Sequence, residues 1–267
     1  MNGAGRTARI EGGRRMGGIL KAADSAHPLV TVVTVIYNDA NDVEAVIKNI
    51  RSQTYPQIEY IVIDGGSTDD TLDILRRHND EIDYWISEPD RGIYDAMNKG
   101  VNLARGQWIN FMNAGDAFYN TETISTVMNT APADADLVYG HTYYRDGDTL
   151  TLIETYDIST LWMSMIFSHQ SLFVRTELLR KHPFNLRYAI TSDYEFIYHC
   201  YVNNRKFHDT RQIVAVHSVD GVSEERIIKR MMERWAIVRS YTPSWKVNGF
   251  YLKLLFKKLK RVAGRRS

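Results

Sequence analysis

The chain has 267 residues, of which 44% are hydrophobic and 24% are charged, as expected for one large globular domain or one domain with appendages. Its net charge of +1 combines about +3 in residues 1–27, +8 in residues 246–267 and about −10 in residues 28–245. The acidic central part argues against a nucleic-acid-binding protein. The single cysteine, Cys200, excludes an intramolecular disulfide and favours a reducing compartment. No apolar run is long enough to span a bilayer, and we expect no secretory signal.

Residues 1–27 are rich in Gly, Arg and Ala and lack periodicity, which predicts disorder. From Pro28 onward, strand and helix patterns alternate. The predicted strands are 29–36, 58–63, 84–87 and 107–112, and the predicted helices between them are 39–53, 67–78 and 92–104. This alternation with short connections predicts an α/β fold with a mostly parallel central sheet flanked by helices.

After residue 116 the alternation becomes less regular. The predicted elements are a helix at 123–129, a strand at 136–140, a hairpin within 142–156, a strand at 170–174, a helix at 193–203, a strand at 207–217 and a helix at 223–241. No internal linker or repeat is evident. We therefore predict one domain over residues 28–243, followed by an extension over 244–267.

Polar or acidic loops follow each of the four predicted parallel strands. They cover residues 37–39, 64–69, 88–92 and 113–116. Because the carboxyl ends of parallel strands meet at one sheet edge, we expect a ligand site there. Asp116, directly after an apolar strand, is placed to hold a divalent cation and hence a diphosphate, the alternative being a polar turn. Asp64 precedes two glycines that would let a ligand approach the backbone closely.

Several common site motifs are absent from the sequence. It contains no Gly-x-Gly-x-x-Gly after the first strand, no Gly-x-x-x-x-Gly-Lys-Ser/Thr and no Gly-x-Ser-x-Gly. These absences argue against a dinucleotide fold, a P-loop and a serine hydrolase. The ordered segments 33–38, 61–69, 88–100 and 113–116 resemble the family 2 glycosyltransferases, in particular bacterial enzymes of the colanic-acid and mycobacterial glycolipid type. The resemblance covers roughly residues 28–223.

The resemblance implies a GT-A fold, a UDP-, GDP- or dTDP-linked sugar donor, a divalent metal (Mn²⁺ or Mg²⁺) and inversion at the anomeric carbon. By position, it implies that Asp116 ligates the metal and that Asp193 is the general base. The residues that it places on the nucleotide sugar are Thr34, Tyr37, Asp64, Gly65, Asp90, Arg91, Asp95, Lys99 and Asn113. The residues that it places around the acceptor opening are His169, Gln170, Gly221 and Ser223.

The sequence departs from the family pattern in two places. The usual Asp-x-Asp-Asp reads Asn-Ala-Gly-Asp over 113–116, so Asp116 binds metal either alone or together with the amide oxygen of Asn113. Met97 stands where an arginine is common, which leaves Arg91 or Lys99 to supply the positive charge.

The assignment of Asp193 as the base has two alternatives. One is that Asp193 only caps its helix. The other is that Glu195 is the base, although helix geometry turns it about 200° away from Asp193.

Residues 251–262 separate on a helical wheel into an apolar arc and a basic arc. This pattern predicts that 246–267 binds an anionic membrane surface, the alternatives being packing on the acidic body or a solvated tail. The predicted function is an inverting glycosyltransferase that acts on a glycan or lipid-linked acceptor in cell-surface polysaccharide or glycolipid synthesis. Its predicted location is the cytoplasmic face of the inner membrane. A sugar-nucleotide pyrophosphorylase and a catalytically silent nucleotide-sugar-binding subunit remain as rivals.

Overall fold

The computed structural model describes residues 9–24, 26–218 and 224–263. Within these ranges the strands are β1 (Ile10–Gly12), β2 (Val30–Ile36), β3 (Ile58–Asp64), β4 (Tyr84–Ser87), β5 (Trp108–Phe111), β6 (Ala117–Phe118), β7 (Leu137–Asp146), β8 (Thr149–Ile153), β9 (Phe173–Arg175) and β10 (Phe207–Ser218). The helices are α1 (Val43–Arg51), α2 (Thr71–Arg77), α3 (Ile93–Leu103), α4 (Thr123–Thr130), α5 (Thr176–Lys181), α6 (Ser192–Val202), α7 (Glu224–Tyr241) and α8 (Trp245–Ala263).

One mixed sheet runs through the described part of the chain in the order β1-β4-β3-β2-β5-β9-β7-β10-β6, with β8 paired to β7. The strands β4, β3, β2 and β5 are parallel to one another, as predicted. Antiparallel pairs join β1 to β4, β9 to β5 and β7, and β6 to β10. The α/β class is therefore confirmed, and each of these antiparallel pairs includes at least one strand outside the segment of regular alternation.

The core is divided between the two faces of this sheet. Along β2, the side chains of Val33 and Val35 pack on one face with α3, α5, α6, α7 and α8. The side chains of Val30 and Val32 pack on the other face with α1, α2 and α4. Burial on both faces explains why β2 is a continuous apolar run rather than an alternating one.

The second half of the sheet differs in detail from the prediction. The predicted hairpin is present as the antiparallel pair β7–β8, and its turn contains Gly147 at a positive φ of 56°. The strand predicted from residue 170 starts at Phe173, because His169–Ser171 forms a 3₁₀ turn. That turn carries two of the predicted acceptor residues to the carboxyl edge of the sheet.

The N-terminal segment is part of the fold where the structure describes it. Strand β1 pairs antiparallel with β4, and the Arg15 guanidinium pairs with Glu59 and donates a 3.0 Å hydrogen bond to the Leu103 carbonyl. The predicted disorder of residues 1–27 is therefore wrong for residues 9–17. Strand β1 satisfies backbone groups that β4 would otherwise expose at the sheet edge, and three residues are too few to give a periodic signal. Residues 1–8 and 25 lie outside the described ranges.

The C-terminal helix packs on the protein through part of its predicted apolar arc. Tyr251 is buried and its hydroxyl donates to the Trp162 carbonyl at 3.0 Å. The Trp235 indole donates to the side-chain oxygen of Asn248 at 3.0 Å, which ties α7 to α8. Tyr251 therefore does not face a membrane, which corrects its placement on the lipid-facing arc. None of the described helices combines the length and apolarity needed to cross a bilayer.

Candidate active site

The first turn of α6 presents Asp193 to a cavity of about 500 Å³. The Tyr94 hydroxyl donates a hydrogen bond to Oδ1 of Asp193 at 2.7 Å. Burial, together with the nearby Asp193 charge, raises the pKa of Tyr94 well above its ordinary value, so the hydroxyl keeps its proton and remains a donor. Nδ1 of His169 lies 3.7 Å from Oδ2 of the same carboxylate. The carboxylate of Asp193 is thus held by a hydrogen bond on Oδ1 and has His169 beside Oδ2, while it faces the cavity.

Glu195 points away from this cavity. It is buried, accepts a hydrogen bond from the Tyr241 hydroxyl, and lies 3.1 Å from Nε2 of His182. Burial alone would raise the pKa of Glu195, but the hydrogen bonds from His182 and Tyr241 outweigh it and lower the pKa. Glu195 is therefore placed to hold the core together rather than to meet a substrate.

The loop after β5 places Asp116 at the carboxyl edge of the sheet. The loop turns at Gly115, which has a φ of 82°. Asp116 is 9% exposed and accepts a 3.1 Å hydrogen bond from Nε2 of Gln170. Burial raises the pKa of Asp116 to about 6, opposed by His169 and by this hydrogen bond. A buried carboxylate with one amide donor is well suited to a cation.

Asn113 lies next to Asp116 on the same loop. Its side-chain Oδ1 is buried and has no hydrogen-bond partner among the described residues. Within those residues, no cluster of three or more His, Cys, Asp or Glu side chains could hold a metal. The donor set is therefore one carboxylate and one amide oxygen, which fits a hard cation that takes its other ligands from phosphate oxygens.

His169 connects this loop to Asp193. Its Nε2 atom lies 3.4 Å from the side-chain nitrogen of Asn113, while its Nδ1 faces Asp193. His169 and Gln170 both line the cavity, and their role on the acceptor side stays a prediction. The residues predicted as metal ligand and as base therefore belong to one continuous site. Gly221 and Ser223 lie outside the described residues.

Tyr37, Gly65 and Asp90 form a second group at the same sheet edge. A Cβ atom added at Gly65 would lie 2.5 Å from Oδ2 of Asp90 and 3.3 Å from the Tyr37 ring. The backbone amide of Gly92 donates to the Asp90 carboxylate at 2.7 Å, and the Tyr37 side chain is 63% exposed. A side chain at position 65 would therefore displace the Asp90 carboxylate from its present position.

Two residues predicted on the nucleoside are instead enclosed by the protein. The Thr34 hydroxyl is fully buried and donates to the Met112 carbonyl at 2.6 Å. Asp64 is also fully buried and accepts hydrogen bonds from the Ser87 hydroxyl at 2.5 Å and from the Ser67 amide at 3.1 Å. Both side chains order the sheet edge and its loops in this structure, and their predicted contact with the nucleotide sugar stays a prediction. Sequence position alone could not distinguish a buried loop anchor from a ligand contact.

The cations proposed to replace the missing arginine are both paired. Arg91 binds Asp95 through a 2.9 Å ion pair. Lys99 binds Glu88 at 3.0 Å and the Pro89 carbonyl at 2.9 Å. Asp95 and Lys99 therefore secure the loop before α3 and the start of that helix, and neither alternative provides an unpaired cation.

Sequence reasoning missed several residues that line the cavity. Tyr94 and His217 were not selected, and His217 Nε2 lies 3.2 Å from the Ser168 hydroxyl. Three arginines of α7 also line it: Arg226, Arg230 and Arg234. Their four-residue spacing is visible in the sequence and places them on one helix face, but nothing in the sequence shows what that face meets.

Comparison with known proteins agrees with this fold. The profile of glycosyl transferase family 2 matches residues 31–210. A PGL/p-HBAD biosynthesis glycosyltransferase of Mycobacterium bovis is 30% identical over 219 residues, which cover 78% of this chain and 84% of the relative. A glycosyltransferase of Mycobacterium tuberculosis is 31% identical over 182 residues, which cover 64% of this chain and 68% of the relative. The chain belongs to glycosyl transferase family 2 and is a glycosyltransferase, as its ordered motifs predicted.

Solved structures share the architecture at low sequence identity. The mannosyltransferase PcManGT from Pyrobaculum calidifontis, in complex with GDP-Man and Mn²⁺, has a TM-score of 0.63 and 22% identity, covering 84% of this chain and 68% of that chain. S. aureus TarS in complex with UDP has a TM-score of 0.62 and 17% identity, covering 85% of this chain and 70% of that chain. These similarities confirm the predicted GT-A fold.

Proposed function

We propose that this glycosyltransferase moves a sugar, with inversion, from a UDP-, GDP- or dTDP-linked donor to a hydroxyl of a glycan or lipid-linked acceptor. The observation that carries the proposal is the Asp193 carboxylate, which faces the cavity and is held by Tyr94 at 2.7 Å. The proximity of His169 both to Asp193 and to Asn113 on the Asp116 loop supports a base close to a candidate diphosphate site. The GDP-Man bound to PcManGT and the UDP bound to TarS support a nucleotide-sugar donor.

In this proposal, Asp193 accepts the proton of the acceptor hydroxyl as general base. The acceptor oxygen then forms a bond to the anomeric carbon on the side opposite the diphosphate. The bond between that carbon and the diphosphate oxygen breaks, and its electron pair leaves with the nucleoside diphosphate. A single in-line displacement of this kind inverts the configuration of the sugar. The Tyr94 hydroxyl fixes the carboxylate for the proton transfer.

The Asp116 carboxylate and the Asn113 amide oxygen would hold Mn²⁺ or Mg²⁺ together with the donor phosphates. Such a cation supplies Lewis-acid stabilisation of the leaving diphosphate. The Mn²⁺ of PcManGT supports this role by similarity of fold. Tyr37, Gly65 and Asp90 form the proposed nucleoside side of the site, because they cluster at the same edge of the sheet.

The surface of α8 supports the proposed contact with an anionic membrane through residues 246–267. Phe256 is 62% exposed, and two other large apolar side chains share its helix face at four- and eleven-residue spacing: Leu252 and Trp245. Each is followed in sequence by an exposed lysine: Lys246, Lys253 and Lys257. An exposed apolar stripe beside lysines is the pattern of a helix that lies in a membrane interface. Location at the cytoplasmic face of the inner membrane stays a prediction.

The test is release of nucleoside diphosphate by the purified protein. Wild type and Asp193→Asn are incubated with UDP-, GDP- and dTDP-sugars and Mn²⁺, with and without glycan or lipid-linked acceptors. Release by the wild type that falls about 10²-fold or more in the variant supports the proposal. Tight donor binding without release from any donor would instead favour the nucleotide-sugar-binding subunit.

A further inference from the structure

One wall of the Asp193 cavity is a row of arginines that the proposed transfer step does not use. Arg226, Arg230 and Arg234 lie four residues apart on α7 and line the same cavity as Asp193 and Tyr94. Besides Asp193, the lining includes one further carboxylate, Glu154, which directly follows the hairpin strand β8. A wall with three guanidinium groups in one cavity is a concentrated positive charge.

The position of this wall relative to Asp193 is fixed by hydrogen bonds. The Glu233 carboxylate of α7 accepts from the backbone amide of Ile190 at 3.1 Å and from the Thr191 hydroxyl at 2.9 Å. These two residues directly precede α6, whose first turn carries Asp193. The arginines therefore stand at a defined distance from the base, and a ligand bound to them would also lie at a defined distance from Asp193.

Two of these arginines form no ion pair in the part of the chain that the structure describes. Among the described residues, neither Arg230 nor Arg234 has a carboxylate within ion-pair distance or a hydrogen-bond acceptor. The Arg234 guanidinium carbon lies 5.2 Å from the ring centroid of the buried Tyr194, and its Nε atom is buried without a hydrogen-bond partner. Burial lowers the pKa of Arg230, the neighbouring Arg234 lowers it further, and the charge of Asp193 opposes both. A buried unpaired donor such as Nε of Arg234 is costly unless a ligand satisfies it.

The cavity lies on the acceptor side of the site. Its described lining includes His169 and Gln170 but none of Tyr37, Gly65 and Asp90. The arginine wall therefore faces the space from which an acceptor hydroxyl would reach Asp193, not the group proposed for the nucleoside.

We propose that the Arg226–Arg230–Arg234 wall binds a phosphate group of the acceptor while the acceptor hydroxyl faces Asp193. This inference rests on the proposed function and adds the chemical class of the acceptor to it. The planar guanidinium group donates paired hydrogen bonds that match phosphate oxygens. The phosphate belongs either to a lipid-linked sugar or to a free phosphorylated sugar, and the probes below separate these sources.

The test measures binding of octyl phosphate and of inorganic phosphate to the full chain by calorimetry, without donor. Wild type is compared with Arg230→Gln, Arg234→Gln and Arg230→Lys. The matched control is Arg239→Gln, because Arg239 is exposed at the end of α7 and does not line the cavity. Circular dichroism verifies folding, and Arg230→Gln carries the test if Arg234→Gln does not fold.

We expect Arg230→Gln and Arg234→Gln each to weaken octyl phosphate binding about tenfold or more, and Arg239→Gln to leave it unchanged. Arg230→Lys retains the charge and should recover part of the affinity. Octyl phosphate that binds more tightly than inorganic phosphate identifies a lipid-linked source, whereas equal binding identifies a free phosphorylated sugar.

Equal octyl phosphate binding by all variants would overturn the proposal. So would unchanged octyl phosphate binding together with weakened UDP binding, measured by the same calorimetry, in Arg230→Gln and Arg234→Gln, because the arginines would then serve the donor diphosphate. Failure of the proposed function is distinguishable from either result, because it appears as absence of nucleoside diphosphate release and not as a change in phosphate affinity.

Discussion

Nδ1 of His169 lies 3.7 Å from Oδ2 of Asp193, and this single imidazole spans the space between the proposed base and the metal loop. Its other nitrogen, Nε2, lies 3.4 Å from the side chain of Asn113. His169 is carried there by the 3₁₀ turn that precedes β9, far in sequence from both partners. The residues proposed as the base and as part of the metal site therefore both lie next to one side chain, the imidazole of His169.

The two carboxylates of α6 are expected to respond differently to substitution. Asp193→Asn should lower turnover about 10²-fold or more and leave donor affinity nearly unchanged, because the base acts on the acceptor hydroxyl. Glu195→Gln should mainly lower stability, because Glu195 is buried with His182 and Tyr241. Steady-state kinetics and thermal unfolding of both variants measure these effects. A larger loss of turnover in folded Glu195→Gln than in Asp193→Asn would reverse the assignment.

Tyr94→Phe removes the 2.7 Å hydrogen bond to Asp193 without changing the ring. A hydrogen bond to a charged group is worth about 1.5–3 kcal/mol, so we expect turnover to fall at least about tenfold. The KM for the donor should not change, because Tyr94 positions the base. Tyr119→Phe is the control, since Tyr119 is exposed and does not line the cavity. Equal kinetics of Tyr94→Phe and wild type would show that this hydrogen bond is not needed.

The buried Asp116 predicts a pH-dependent stability of the metal-free protein. Burial raises the pKa of Asp116 from its ordinary 3.8 to about 6, so the folded state favours the protonated form. Ionisation then penalises folding as the pH rises above 3.8, and the penalty is complete above about 6. Two pKa units correspond to about 3 kcal/mol. Asp116→Asn should therefore be more stable than wild type at pH 7.5, by up to about 3 kcal/mol, and similar at pH 4.

Urea unfolding at the two pH values measures this difference, with the exposed Asp80→Asn as control. Mn²⁺ with a nucleoside diphosphate should stabilise the wild type and not Asp116→Asn, because a ligand that binds only the folded form raises its stability. Equal stabilisation of both proteins would exclude Asp116 as the metal ligand.

Gly65→Ala should weaken donor binding while the protein stays folded. The added Cβ would lie 2.5 Å from Oδ2 of Asp90, so the carboxylate must move away from Tyr37. We expect the donor Kd to rise about tenfold, in line with the loss of about one charge-assisted hydrogen bond. Gly249→Ala is the control, because its added Cβ meets no atom within 4 Å. Unchanged donor affinity in Gly65→Ala would remove this group from the nucleotide site.

Membrane binding of α8 is best tested by point substitutions. Deleting residues 246–267 would also remove the buried Val247 and Tyr251 and so disturb the core. The double variant Leu252→Ser, Phe256→Ser changes only exposed side chains and should reduce co-sedimentation with anionic vesicles several-fold. Binding should also fall with rising salt, because lysines contact the lipid headgroups. Equal sedimentation of variant and wild type would show that this stripe does not bind the membrane.

The sequence by itself determined the parallel half of the sheet, because burial on both faces makes each strand a readable apolar run, as in Val30–Ile36. It also determined the position of Asp116 and Asp193, since each follows a local pattern of strand end or helix start. Only the tertiary structure decided that Thr34 and Asp64 are enclosed and that Arg230 and Arg234 line the same cavity as Asp193. The accessibility of a side chain and its long-range contacts depend on how the helices and strands pack. The local periodicity of the sequence does not show which residues of other elements line the same cavity.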